Sequence, residues 1–132
     1  MSQNRPGAGD DVQAPDVPEG WHAEHHVVGH LVVVAVSGEV DALTAPRLTA
    51  AIREARAAAP DAGLIVDLSR IEFLASAGVT ALLTVRNQVP PRTAFGVVVD
   101  GPARRSMTIL GVDSVIALYR TVDEALADTG DG

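Results

Sequence analysis

A chain of 132 residues, 47% of them hydrophobic, has room for one ordinary domain and enough apolar material for a single core. Its 17 acidic and 10 basic residues leave a formal charge of -7, which repels nucleic acid and anionic lipid and disfavours sequence-unspecific DNA binding. The absence of cysteine excludes disulfides, thiolate zinc sites and cysteine nucleophiles.

The opening Met1-Ser-Gln-Asn-Arg-Pro-Gly7 carries no apolar segment of signal-peptide type, and no apolar run reaches the length of a membrane span, so a soluble, cytoplasmic protein without membrane contact is expected. Residues 1–20, punctuated by Pro6, Gly7, Gly9, Pro15, Pro18 and Gly20, read as a disordered tail, and a domain is expected over 21–129. Trp21 to Val28 and the β-branched run Leu31 to Val36 read as two antiparallel strands about a Gly29-His30 turn. Ser37-Gly38-Glu39-Val40-Asp41 reads as an exit loop. Thr44 is placed to cap a helix that runs to about Ala58, tolerates Pro46 in its first turn, and repeats Leu48, Ile52 and Ala55 at helical spacing.

Leu64 to Leu68, apolar except for Asp67, has the composition of a central strand covered on both faces. Ser76 is placed to cap a helix that ends near Val89, because Pro90-Pro91 disfavours helical geometry before it. Phe95 to Val99 reads as a strand, Pro102 to Leu110 as a short helix closed by Gly111, Val115 to Leu118 as a last strand, and Thr121-Val-Asp-Glu124 as a capping box opening a final helix. Alternating strands and helices imply crossover connections, hence an α/β fold with a mixed sheet of about five strands and about four helices.

The segment Ser69 to Gly78 lies at the carboxyl end of the expected central strand, where open α/β sheets present functional groups. The helix that follows offers unpaired amides and the positive end of its dipole, which favour a carboxylate or phosphoryl group. A plain structural account competes: Ser76 caps the helix, and Gly78 allows close packing. Elsewhere, His22, His25, His26 and His30 invite a metal reading. Strand geometry opposes it, since His25 and His26 point to opposite faces and residues four apart are separated by about 13 Å. Asp67 lacks a nucleophile or general-base partner and is expected to accept backbone or hydroxyl hydrogen bonds. Arg104 and Arg105 at a helix start could hold a phosphate, but no Gly-rich phosphate loop accompanies them. With aromatics at 3%, base stacking is also disfavoured, and no nucleic-acid partner, metal or cofactor is expected.

Several words occur together in order: Val34-Ala-Val-Ser-Gly-Glu-Val-Asp41, Thr44-Ala-Pro46, Leu64-Ile-Val-Asp-Leu-Ser69, Phe73-Leu-Ala-Ser-Ala-Gly-Val79, Gly111-Val-Asp-Ser-Val-Ile116 and Glu124-Ala-Leu126. Together they resemble the STAS domain of bacterial anti-sigma factor antagonists, over roughly residues 21 to 128. The resemblance implies a STAS-like fold and a non-enzymatic, partner-switching role. The unphosphorylated antagonist binds an anti-sigma factor with a kinase-type fold and frees a sigma factor, and phosphorylation of a switch residue breaks that complex.

In that family the switch loop reads Asp-Ser-Ser-Gly or Asp-Ser-Thr-Gly, with the acceptor just before the glycine. Here the sequence reads Ala75-Ser76-Ala77-Gly78, so the acceptor position has no hydroxyl. Three readings follow: an antagonist fixed in its binding-competent state, Ser76 as substitute acceptor, or a docking module of a sensory or transport complex that involves no sigma factor. The resemblance implies a partner surface of Leu74, Ala75, Ser76, Ala77, Gly78, Val79 and Thr80, flanked by Glu39 and Asp41, with simple turn chemistry an equal account of the two acids.

Overall fold

The computed structural model describes residues 20–130, so all but the last residue of the expected tail lies outside the described residues. Strands β1 (His22–Val28), β2 (Leu31–Val40), β3 (Gly63–Leu74), β4 (Phe95–Val98) and β5 (Ala117–Tyr119) form one sheet in that order. The first pair is antiparallel and the other three are parallel. Helices α1 (Ala45–Ala58), α2 (Ser76–Gln88), α3 (Gly101–Ile109) and α4 (Val122–Thr129) make the crossovers and the ending, with a 3-10 turn at Val112–Ser114 before β5. The expected mixed five-stranded sheet with four helices is the observed one.

Alternation along the strands divides the core between the two faces of the sheet. Val32, Val34, Val36, Leu64, Val66 and Val97 pack with Leu48, Ile52 and Ala55 of α1, Leu82 of α2 and Met107 of α3. Leu31, Val33, Ile65 and Val98 face the other way, against Ala125 of α4. Each Val, Leu, Ile or Met side chain among them contributes about 1.5–3 kcal/mol when fully buried. The central strand is thus covered on both sides, heavily on one and by an eight-residue helix on the other.

Two strands run further than their composition suggests. Ser37 to Val40 is not an exit loop but the end of β2, paired with β3 up to Val40–Leu74. Register shifts between Ala35 and Ser37 and between Gly38 and Glu39 absorb the irregularity. Gly38 sits there at φ +97, and a Cβ added to it would lie 3.0 Å from both Gly20 O and Trp21 Cα, so only glycine fits without strain. Near the other terminus, the expected strand start at Val115 is instead the exit from the 3-10 turn, and β5 begins at Ala117.

The helix ends follow local chemistry. Thr121 Oγ1 accepts from the Glu124 amide at 3.0 Å, and Glu124 Oε1 accepts from the Arg120 amide at 2.8 Å, a capping box shifted by one residue on its return arm. Gly111 closes the segment after α3 in the left-handed region at φ +79.

Tyr119 fixes α4 to the sheet: its hydroxyl donates to Asp128 Oδ2 at 2.6 Å. Its pKa is pushed up to about 12, first by burial and then by that hydrogen bond and the carboxylate charge. The folded state therefore holds the phenolic proton more tightly than the unfolded chain. The associated stability is complete below pH 10 and is lost as pH rises through about 12. Tyr119→Phe should flatten that alkaline decline while lowering stability at neutral pH by the loss of one charge-assisted hydrogen bond, which thermal melts across the alkaline range would show.

Candidate functional site

The carboxyl ends of β2 and β3 run side by side, Glu39 opposite Phe73 and Val40 opposite Leu74. The Ala75 amide then donates to Val40 O at 2.8 Å, and α2 starts at once. There is no ten-residue loop from Ser69 to Gly78; the strand continues to Leu74 and one residue makes the junction.

That residue is the helix N-cap. Ala75 has extended geometry, φ -86 and ψ 167, its carbonyl accepts from Gly78 at 2.9 Å and Val79 at 3.3 Å, and no side chain caps the helix. Ser76 therefore does not cap α2, contrary to the sequence expectation: the pairing of Ala75 with Val40 sets the helix start one residue earlier and leaves Ser76 as the first helical residue, exposed. Ala75→Asp should supply the missing acceptor and raise stability by about 1 kcal/mol, or about 4–8 °C in Tm. Ser76→Ala should change Tm little, since no cap is lost. Parallel thermal melts check both.

Gly78 and Val79 are buried, while Leu74, Ala75 and Ala77 are half-buried and Ser76 and Thr80 exposed. A Cβ on Gly78 would come within 2.6 Å of Val40 Cγ1 and 2.7 Å of Leu74 Cδ1, so glycine lets α2 rest directly on the end of β2. The outer face of α2 presents Ser76, Thr80, Thr84 and Asn87, with no charged residue before Arg86. Thr84 Oγ1 donates to Thr80 O at 2.9 Å, and Arg86 Nε is drawn to Val115 O at 3.2 Å. In a chain of net charge -7 this helix start is an uncharged surface of small side chains.

The two acids of the corner differ. Glu39 is exposed and its carboxylate is free of partners among the described residues. Asp41 is half-buried, and its Oδ1 accepts from the Leu43 and Thr44 amides at 3.0 Å each. Thr44, only 1% exposed, accepts from the Asp41 amide at 2.9 Å and donates to Glu39 O at 2.8 Å. Thr44 thus stands at the cap position of α1 but turns its hydroxyl back into the corner; it makes no cap bond to the helix. Asp41 and Thr44 build the corner, and Glu39 is left free to face outward.

Two residues of this end escaped the sequence reading. Phe73 and Leu43 are 56% and 61% exposed, large apolar groups next to Glu39 and Asp41 in the chain fold. Phe73 also lines a shallow cleft of about 200 Å³ with Leu74, Ile71, Pro102 and Ala103. The available signal was Phe73 between Glu72 and Leu74 where strand alternation had already broken down.

The other candidates separate from this end or resolve into structure. Asp67 Oδ1 accepts from the Ser69 amide at 2.9 Å, the expected strand-end role. Arg104 donates to Val99 O at 3.2 Å and serves the β4–α3 junction. His22, His25 and His26 lie exposed along β1, and His30 Nε2 is 2.8 Å from Thr129 Oγ1. Among the described residues no group of three His, Asp or Glu is arranged to hold a metal, and no helix is long and apolar enough to cross a membrane.

The STAS domain family model matches residues 22–125. The chain is 35% identical over 122 residues to the anti-sigma-F factor antagonist RsfB of Mycobacterium tuberculosis, an alignment covering 92% of this chain and 97% of that protein. Its fold is similar to the crystal structure of an anti-sigma factor antagonist from Mycobacterium paratuberculosis, with TM-score 0.78 and 38% identity over 91% of this chain and all of that one. The anti-sigma factor antagonist SpoIIAA in its unphosphorylated form shares the fold at TM-score 0.66 and 18% identity, over 84% of this chain and 99% of that one. With its sheet order, its strand-to-helix junction and a family match over most of its length, the chain belongs to the STAS domain family.

Proposed function

We propose that this protein is an anti-sigma factor antagonist: it binds an anti-sigma factor of kinase-type fold and so frees a sigma factor, without catalysing a reaction. The observation that carries this reading is the uncharged start of α2, seated against β2 by Gly78. Its relatives over nearly the whole chain are named for that role. The contact surface is Leu74 to Thr80, with Glu39 as an outward charge at its rim and Asp41 supporting the corner beneath. Small, uncharged groups there let a partner approach closely with little desolvation cost.

Ala77 bears no hydroxyl, so the usual toggle is absent and the protein remains in its binding-competent state. Control then lies in its amount or in competition for the anti-sigma factor. The test is displacement: the purified protein is titrated into preformed complexes of the anti-sigma and sigma factors encoded in the same genome, and release is followed by size-exclusion chromatography. Release of a sigma factor in proportion to added protein is expected; intact complexes at saturating protein would overturn the reading. Mass spectrometry after incubation with the anti-sigma factor and ATP tests the fixed state separately, and phosphate on Ser76 would refute that part alone.

A further inference from the structure

Among the described residues β1 is an edge of the sheet, paired with β2 on one side only. Natural edges are protected by shortness, by lysine or proline, or by bulges. The opposite edge, β5, has three residues. β1 has seven, contains neither lysine nor proline, has Glu24 as its one acidic residue, and keeps an unbroken register with β2. Among the described residues its outer side is an unpaired ladder without a bulge.

The hairpin determines which groups face outward. Gly29-His30 joins Val28 to Leu31 in a two-residue turn, so that pair is the hydrogen-bonded closing pair. Alternation then turns the backbones of Val28, His26, Glu24 and His22 toward β2, and those of Val27, His25 and Ala23 toward the open edge.

We propose that β1 pairs antiparallel with β1 of a second copy of this chain about a two-fold axis at His25, joining two sheets into one. The side chains select that axis. At His25, each Glu24 stands opposite His26 of the second copy, and each Val27, 63% exposed in the single chain, stands opposite Ala23. Glu24 already has His22 Nε2 at 3.5 Å on its own strand, so it would lie between two imidazoles. An axis at Glu24 sets two carboxylates face to face, and one at His26 opposes two imidazoles, as one at His25 does, but also removes the Glu24 complement. An axis at Ala23 opposes Glu24 to His22 but uses only the first half of the strand and leaves Val27 in water. Charge complementarity and apolar cover coincide only at His25.

The absence of cysteine makes the test clean. Hydrogen-bonded antiparallel partners have α-carbons about 5.5 Å apart, within disulfide reach. His25→Cys in the full chain should therefore link into a covalent dimer under mild oxidation, whereas Ala57→Cys, at an exposed site on α1, should not. Sedimentation equilibrium of the unmodified chain should show a monomer–dimer equilibrium. Glu24→Lys should weaken it about tenfold, and Glu24→Lys with His26→Glu should restore it. A wild-type chain that stays monomeric, equal crosslinking of the two cysteine variants, or a dimer indifferent to Glu24→Lys would each overturn the proposal.

Discussion

Ala77→Glu is expected to weaken binding to the anti-sigma factor by about thirty- to a hundredfold, or about 2–3 kcal/mol, while leaving the fold intact. Ala77 is half-buried in the first turn of α2, between exposed Ser76 and buried Gly78. A carboxylate there would have to be desolvated against the partner or hold it away, as a phosphate would. The same carboxylate sits at the positive end of the helix dipole, so Tm should hold or rise slightly. Lost affinity with unchanged Tm separates an interface effect from a folding effect. Ala77→Ser should bind like wild type, because a hydroxyl adds neither charge nor much bulk, yet become a substrate for a partner with kinase activity. Isothermal titration of the three proteins against one anti-sigma factor decides the matter, and equal affinity of all three would place the interface elsewhere.

The order of elements was legible because the signals are local. The Leu48, Ile52, Ala55 stripe, the Pro90-Pro91 stop, Gly111 and the Thr121 capping box each act within one turn of chain, and each element they imply is present. The ends of β2 and β3 were not legible for the opposite reason. Ser37-Gly38-Glu39 and Ser69-Arg70 are polar and glycine-containing, which is loop composition, yet they extend as strands because each supplies the other's ladder across more than thirty residues. The same long-range pairing, Ala75 to Val40, moves the helix start off Ser76. The motif words therefore mark one segment of the chain, while the division of labour within it depends on pairings that no local signal carries. Glu39 and Asp41 look alike in sequence, and only the Thr44 hydrogen bonds show that one is outward and the other structural.

Gly78→Ala is the substitution that tests how tightly that segment is built. Outside this context it would stabilise a helix by about 1 kcal/mol. Here the new methyl meets Leu74 Cδ1, the end of a half-buried chain that can turn aside, and Val40 Cγ1 at 2.6 Å, which cannot: Val40 is fully buried and its β-branched side chain has little rotamer freedom. Overpacking of this kind costs about 1–3 kcal/mol, so the helix-propensity gain is outweighed and a net loss of about 1–2 kcal/mol is expected. Val40→Ala removes the colliding carbon, at its own cost in lost burial. In that background Gly78→Ala should be neutral or stabilising, and the double-mutant cycle should show a coupling of more than about 1 kcal/mol. Additive effects in urea melts would mean that α2 lifts away from β2 without penalty, and the close seating of the helix would then not be what sets the height of the proposed partner surface.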